Sequence, residues 1–324
     1  MTKTQTTTTD EINNTTGAGL PDRRTLIAFL TFVVLSGGAS VAIRFTYGEL
    51  QPFYGSMVRF GIGALVFWIL AWIKKIPLPR GRALIGAVLF GVLGMGVGFA
   101  LVSWGLVATP ASTYQILMAS VPLLTLFLAY AHRIEPLRVR GVVGALLTVA
   151  GIVVVVGGAV GTGLSLPHII AILLAAAALA EANVVVKKFP PNHPIMTSAI
   201  AMTVGALILG ALSLVVEEAW VIPQQMVTWI ALLYLILFLT LLAFFLYLYV
   251  LGRWTASGTS YGFVLVPLIT IVLASWLAGE QITVSYVIGS ALVLLGVYVG
   301  ALMKTKKPQV GKLSEPAVEV ASAD

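Results

Sequence analysis

From residue 25 onward the chain alternates long apolar runs with short polar breaks, and ten of these runs predict helices. They lie at about 25–44, 53–73, 82–107, 111–131, 138–158, 166–187, 194–216, 226–252, 256–278 and 283–303. Runs of roughly 20 residues rise far enough as helices to cross a ~30 Å hydrocarbon layer, and a helix satisfies its own backbone polar groups there. The breaks carry turn signals, such as Lys74-Lys75-Ile76-Pro77 and Phe189-Pro190-Pro191-Asn192. Residues 1–24 are Thr-rich and polar, without the apolar core of a secretory signal, and read as a disordered tail; residues 304–324 read as a second one. The expected fold class is therefore an all-α integral membrane protein with ten transmembrane helices.

Composition supports the bilayer as solvent. Of the 324 residues, 59% are hydrophobic and 10% charged, too few charges to cover a water-soluble domain of this size. The net charge of +7 falls in clusters between apolar runs, which argues against a nucleic-acid surface and for topology. With the N-terminus inside, the cytoplasmic segments hold Lys3, Arg23, Arg24, Lys74, Lys75, Arg80, Arg82, Arg133, Arg138, Arg140, Lys187, Lys188, Arg253, Lys304, Lys306, Lys307 and Lys312. Only Arg44 and Arg59 remain for the outer side, where Glu49, Glu217, Glu218 and Glu280 also fall. Both termini are expected in the cytoplasm of a cell with a plasma (inner) membrane. Cysteine is absent, which excludes disulfides and thiolate chemistry.

The chain also repeats itself. The stretch from Ala108 aligns with that from Arg253 at a shift of 145, pairing Ala111 with Ala256, Ser112 with Ser257, Pro122 with Pro267, Glu135 with Glu280, Gly144 with Gly289 and Gly151 with Gly296. Earlier in each half, Pro52 aligns with Pro194 at a shift of 142, which matches Ser56 to Ser198 and Gly63 to Gly205. The division predicted is a first repeat at 25–158 and a second at 159–303. A unit of five helices has an odd number of crossings, so its second copy enters from the opposite face, giving two inverted five-helix repeats. Copies that exchange conformations would open a central pocket to one side and then the other.

On these motifs the chain resembles the drug/metabolite transporter superfamily, in particular its ten-helix members built from two EamA-type domains. The carriers are Val41 to Arg44, Val58 to Phe60, the Ala-Ser and Pro of the fourth and ninth helices, Glu135 and Glu280, and the glycine-bearing fifth and tenth helices. The resemblance implies a carrier of small organic solutes, commonly an exporter of amino acids or other metabolites, working from a central cavity. It departs from the family at Ser36-Gly37-Gly38-Ala39-Ser40 and at Ala180-Glu181-Ala182-Asn183, equivalent stretches expected to face that cavity.

Glu181 is the most informative candidate, because an ionised group inside a span costs at least about 2.5 to 3.5 kcal/mol and needs a compensating role. It reads either as a carboxylate that binds a substrate ammonium or a coupling proton, helped by Asn183, or as an interhelical hydrogen-bonding group at the inner water boundary. Arg59 reads as a bidentate partner for a substrate carboxylate or as a cation reaching the outer headgroups. Arg44 and Glu49 read as interfacial anchors or a local ion pair. Tyr114, Gln115, Ser120, Ser260 and Tyr261 stand at repeat-equivalent heights suited to lining the cavity. Trp104, Tyr234, Tyr247 and Tyr249 suit either stacking on substrate or an interfacial belt. Pro122 and Pro267 break the hydrogen-bond ladder at matching heights, as kinks of a gate would.

No metal site, cofactor motif, catalytic triad or phosphate loop can be assembled: the Asp residues are Asp10, Asp22 and Asp324, and His132, His168 and His193 fall at helix ends or loops. A membrane enzyme or sensor is thus disfavoured. The expected function is secondary transport of a small metabolite by alternating access, with amino-acid export ahead of import of a vitamin, a nucleoside-like compound or a carboxylate. Its partners are the substrate, the lipid bilayer and, as a coupling ion, protons.

Overall fold

The computed structural model describes residues 22–134, 136–137, 139–158, 165–251, 253 and 262–302. These are helical throughout apart from short connections, and ten helices are distinguished among them. Eight are long and apolar enough to cross a membrane: α1 (Arg23–Thr46), α2 (Pro52–Ile73), α3 (Arg82–Gly105), α4 (Ala111–Ala131), α5 (Val139–Gly158), α6 (Leu166–Lys187), α7 (Pro194–Val215) and α8, which spans at Met226–Tyr247 and ends at Leu251. Two shorter apolar helices follow, α9 (Gly262–Ala278) and α10 (Val284–Val297, continued by Tyr298–Leu302). The expected start of α9, at 256, lies outside the described residues, as do residues 1–21 and the tail expected at 304–324; Arg23 and Arg24, expected in the first tail, instead open α1, with Asp22 as its cap.

The bundle leaves many large apolar side chains exposed on its surface, as a lipid solvent permits, and packs small residues along α6, with large ones such as Phe60, Leu117 and Ile172 also buried. Trp72, Leu207, Val215 and Trp276 are exposed, whereas α6 buries Ala171, Ala175, Ala176, Ala180 and Ala182. α6 packs against α3 and α4, while α1 packs against α8 and α9; these two groups meet where α4 touches α1 and α9. The pairs α2 with α7 and α5 with α10 flank them.

Glycine sets the α5–α10 distance. A Cβ at Gly144 would lie 2.5 Å from the Gly296 carbonyl oxygen, and one at Gly151 2.6 Å from that of Gly289. Because Gly144 and Gly151 align with Gly289 and Gly296, the contact is reciprocal: Gly144 meets the counterpart of Gly151 and Gly151 meets the counterpart of Gly144, the signature of a local two-fold relation.

α2 and α7 repeat one design. Each has 22 residues and starts at a proline, whose missing N–H is one a helix start leaves unpaired in any case. Each ends with its C-terminal carbonyls capped by a residue of positive φ, Lys75 (51°) and Glu217 (56°). The 6→1 bonds are Ile76 N–H to Ala71 O at 2.9 Å and Glu218 N–H to Ser213 O at 2.9 Å. α3 and α8 also match, each carrying a π-helical stretch, at Gly91–Gly98 and Tyr234–Ala243.

Three interruptions shape the interior. α1 breaks at Gly38, and the freed carbonyls of Leu35 and Gly37 accept from the Tyr234 and Thr270 hydroxyls, so the break is satisfied by neighbouring helices. α4 breaks at Ala119 and Ser120, and Pro122 sits in the first turn of the part that restarts at Val121. Pro267 lies inside α9.

Candidate functional site

Three carboxylate contacts define one end of the bundle. At this end, which carries the acidic loops, Glu49, Glu218 and Glu280 each chelate the start of a distant helix. Glu49 accepts from the N–H groups of Gln224 (2.8 Å) and Gln225 (2.9 Å), at the start of α8. Glu218 accepts from those of Phe53 (3.0 Å) and Tyr54 (2.6 Å), at the start of α2. Glu280 accepts from Ala111 N–H (2.6 Å), Ser112 N–H (3.1 Å) and the Ser112 hydroxyl, at the start of α4, and pairs with Arg44 Nη1 at 3.0 Å. A carboxylate at a helix start satisfies orphan N–H groups and faces the positive end of the dipole. The expected local pair of Arg44 with Glu49 does not form, because each finds a better partner across the bundle.

The Glu280 clasp differs from the other two in what it joins. It ties the α9–α10 loop and α1, which belong to one helix group, to the start of α4, which belongs to the other. Ser40 adds a hydroxyl bond to Ala111 O at 3.3 Å, and the buried cluster Val41, Ala111 and Ala274 fills the space beside it. Together they close the acidic end between the two groups.

Beneath this closure lies a cavity of about 320 Å³. α1 contributes Phe32 and Ser36, α4 Tyr114, Gln115 and Met118, α6 Leu179 and Asn183, α8 Tyr247, and α9 Val266. Phe32 and Tyr247 face each other at 5.6 Å between ring centroids. The Gln115 and Asn183 amides have no hydrogen-bond partner among the described residues. The walls are thus aromatic and aliphatic, with amide donors and acceptors free to orient a guest, as small-molecule sites usually are.

Of the residues singled out by sequence, Tyr114, Gln115 and Asn183 line this cavity. Glu181 does not. Near the basic end of α6 its Oε1 lies 2.7 Å from Nε2 of His132, whose Nδ1 lies 2.6 Å from Lys188 Nζ. An ammonium only donates, so His132 accepts at Nδ1 and gives its Nε2 proton to Glu181, leaving a chain from cation through neutral imidazole to carboxylate. Oε2 of Glu181 is buried without a partner.

Ser120 is buried, and its hydroxyl returns to Leu117 O at 2.6 Å, capping the break in α4 rather than facing the cavity. Trp104 stacks on His168 at 4.3 Å and is 42% exposed, a lipid-facing position. Ser260 and Tyr261 lie outside the described residues.

Arg59 is 9% exposed, with its guanidinium 5.3 Å from the Phe60 ring centre and 5.7 Å from that of Phe99. Its Nε has no acceptor, and no carboxylate pairs with it among the described residues. It does not line the cavity, but Tyr114, which does, lies within electrostatic range of it. Nearby, Ser56 and Ser103 share a hydrogen bond of 2.7 Å and Tyr47 donates to Ser103 O at 2.9 Å. Phe32, Ser36, Met118, Leu179, Tyr247 and Val266 are among the lining residues outside the candidate set, although Tyr247 suited a stacking role. Among them only Ser36, in the departing glycine-rich stretch, carried a specific signal.

A multi-helix membrane protein with a polar-tipped pocket between its helices is built like a solute carrier, and comparison with known proteins agrees. The profile of the EamA-like transporter family matches twice, at residues 23–157 and 166–301. The chain belongs to the EamA-like transporter family, whose members are transporters and not enzymes. The uncharacterized transporter YyaM of Bacillus subtilis is 27% identical over 281 residues, 84% of this chain and 91% of that one. The uncharacterized inner membrane transporter YedA of Escherichia coli K12 is 26% identical, over 79% of this chain and 83% of its own. A solved crystal structure, 21% identical, superposes with a TM-score of 0.60 over 86% of this chain and 96% of that one, a likeness of fold.

Proposed function

We propose that this protein exports a small polar metabolite, an amino acid foremost, across the plasma membrane by alternating access. The observation that carries the reading is the half-open pocket under the Glu280 clasp. A space of about 320 Å³ is at the small end of ligand sites, which suits a metabolite rather than a drug-sized molecule. Its aromatic walls accept an apolar side chain, and the Gln115 and Asn183 amides suit an ammonium or a carboxylate. The unpaired Arg59 guanidinium, reached past Tyr114, suits the carboxylate.

In this reading the chain is two inverted five-helix repeats, 25–158 and 159–303, flanked by cytoplasmic tails at 1–24 and 304–324. The Gly144–Gly296 and Gly151–Gly289 reciprocity and the matched ends of α2 and α7 support it: equivalent cap positions carry Lys75 at the basic end and Glu217 at the acidic end, as inversion with positive charge inside requires. The acidic end is then outer, and the described state is closed to the outside. An outer closure at rest suits loading from the cytoplasm, hence export over import. Pro122 and Pro267, beside the pocket on α4 and α9, are the bending points.

The Lys188–His132–Glu181 chain is the candidate path for a coupling proton. Replacing Glu181 by Gln is expected to flatten the pH dependence of transport; an unaltered pH profile removes the proton-carrier role and leaves facilitated flux. The function itself is tested by counterflow in proteoliposomes with labelled amino acids, purines, sugars and cationic dyes. Saturable exchange of one or more amino acids supports the reading. Preference for a nucleoside-like compound or a carboxylate without an amine moves it to the runner-up substrates, and binding without flux makes the protein a sensor.

A further inference from the structure

At the basic end, a second cavity of about 660 Å³ opens where the α2–α3 and α6–α7 loops meet, with Lys74, Lys75, Pro191, Asn192 and His193 among its walls. Its chemistry is one-sided. Ile195 N–H donates to His193 Nδ1 at 3.2 Å, which leaves the ring proton on Nε2 as a donor. The Asn192 carbonyl oxygen is used by His193 N–H at 2.8 Å, and its Nδ2 is buried with no acceptor. Lys74 and Lys75 only donate. No acidic residue occurs from 74 to 81 or from 188 to 193. Every uncommitted polar side-chain group lining the cavity therefore seeks an acceptor, and the charge there is positive.

The position names the source of that acceptor. Lys74 follows the last residue of α2, and Trp72 and Ile73, the two residues immediately before it, are 81% and 64% exposed on the lipid-facing surface. The cavity thus sits at headgroup depth beside a surface made for acyl chains, and it is larger than a single phosphate needs. We propose that it binds the phosphate headgroup of an anionic phospholipid, with Lys74, Lys75, Asn192 Nδ2 and His193 Nε2 as donors and the acyl chains lying along Trp72 and Ile73. Basic pockets between spans on the cytoplasmic side commonly take such headgroups. The inference rests on α2 and α7 spanning a membrane and does not depend on what the protein carries.

The test is native mass spectrometry of the full-length protein released from detergent and titrated with dioleoylphosphatidylglycerol, dioleoylphosphatidylcholine or inorganic phosphate. One tightly retained phosphatidylglycerol is expected, weakened about fivefold or more in Lys74→Gln/Lys75→Gln and measurably in Asn192→Ala, and unchanged in Arg80→Gln/Arg82→Gln, which removes equal charge from the same face outside the cavity. Size-exclusion elution and circular dichroism like those of the wild type confirm that each variant is folded. Equal retention in all variants, or equal affinity for phosphatidylcholine, overturns the proposal. Displacement of the lipid by millimolar inorganic phosphate also overturns it, assigning the site to a free anion.

Discussion

Replacing Glu280 by Gln isolates the closure at the acidic end, because nearly every donor there converges on one carboxylate. Oε1 takes Ala111 N–H and Arg44, and Oε2 takes the N–H and hydroxyl of Ser112. A glutamine keeps one acceptor oxygen and turns its NH2 toward the donors that used the other. The Arg44 link counts for little, since that side chain is 35% exposed and screened, whereas Glu280 is 9% exposed. Two lost bonds to a charged acceptor, at about 1.5–3 kcal/mol each and partly replaced by water, leave a net cost near 3 kcal/mol to the closed state. That shifts the ratio of closed to outward-open molecules about a hundredfold. The chain has no cysteine, so Met118→Cys, on the cavity wall two turns below Ser112, makes a single reporter in an otherwise native background. Labelling by a membrane-impermeant maleimide from the outer side should be at least tenfold faster with Glu280→Gln than without. The same change at Glu49, which ties the α1–α2 loop to α8 within one helix group, should leave the rate unchanged. Equal labelling of the Glu280→Gln and Glu280 proteins refutes the clasp as the outer gate.

The remaining expectations concern pH, packing and the pocket. The Thr228 hydroxyl and the N–H groups of Gln224 and Gln225 hold the Glu49 carboxyl below the usual carboxylate range. Its contribution is therefore complete above the unfolded value of about 4.3 and is lost as pH falls through the lower folded value, so hydrogen exchange at Gln224 and Gln225 should quicken only in that acid window and, in Glu49→Gln, should be fast at every pH. Gly144→Ala puts a methyl against the Gly296 backbone and should destabilise the α5–α10 pair by about 1–3 kcal/mol in thermal unfolding, while Gly61→Ala, which faces open space, should not. Asn183→Ala should raise the KM of counterflow by about tenfold through loss of one or two hydrogen bonds, with little change in protein stability.

Much of the fold was legible in the sequence because the bilayer imposes a length and a polarity that a single chain must display. The eight long helices fall within a few residues of the apolar runs that predict them, and the family profile matches both halves of the chain. The site was less legible. Tyr114, Gln115 and Asn183 reach the cavity, but helix rotation decides which face a residue presents, and in an all-apolar span periodicity gives no rotation signal. Glu181 is two residues from Asn183, about 200° away around α6, and so meets His132 instead of the cavity. Ser120 was a plausible polar liner until the break in α4 claimed its hydroxyl. The Glu280 clasp escaped because its partners are backbone N–H groups, which every sequence possesses and no residue type announces.

In the proposed mechanism the two helix groups separate at the acidic end to turn the pocket outward, and Val41 and Ala111 are buried together across that seam. Cross-linking Val41→Cys to Ala111→Cys in proteoliposomes showing counterflow tests this motion directly. Exchange should stop when the pair is oxidised and return on reduction, while either single cysteine remains active throughout. Undiminished exchange in a fully cross-linked sample contradicts alternating access through this gate.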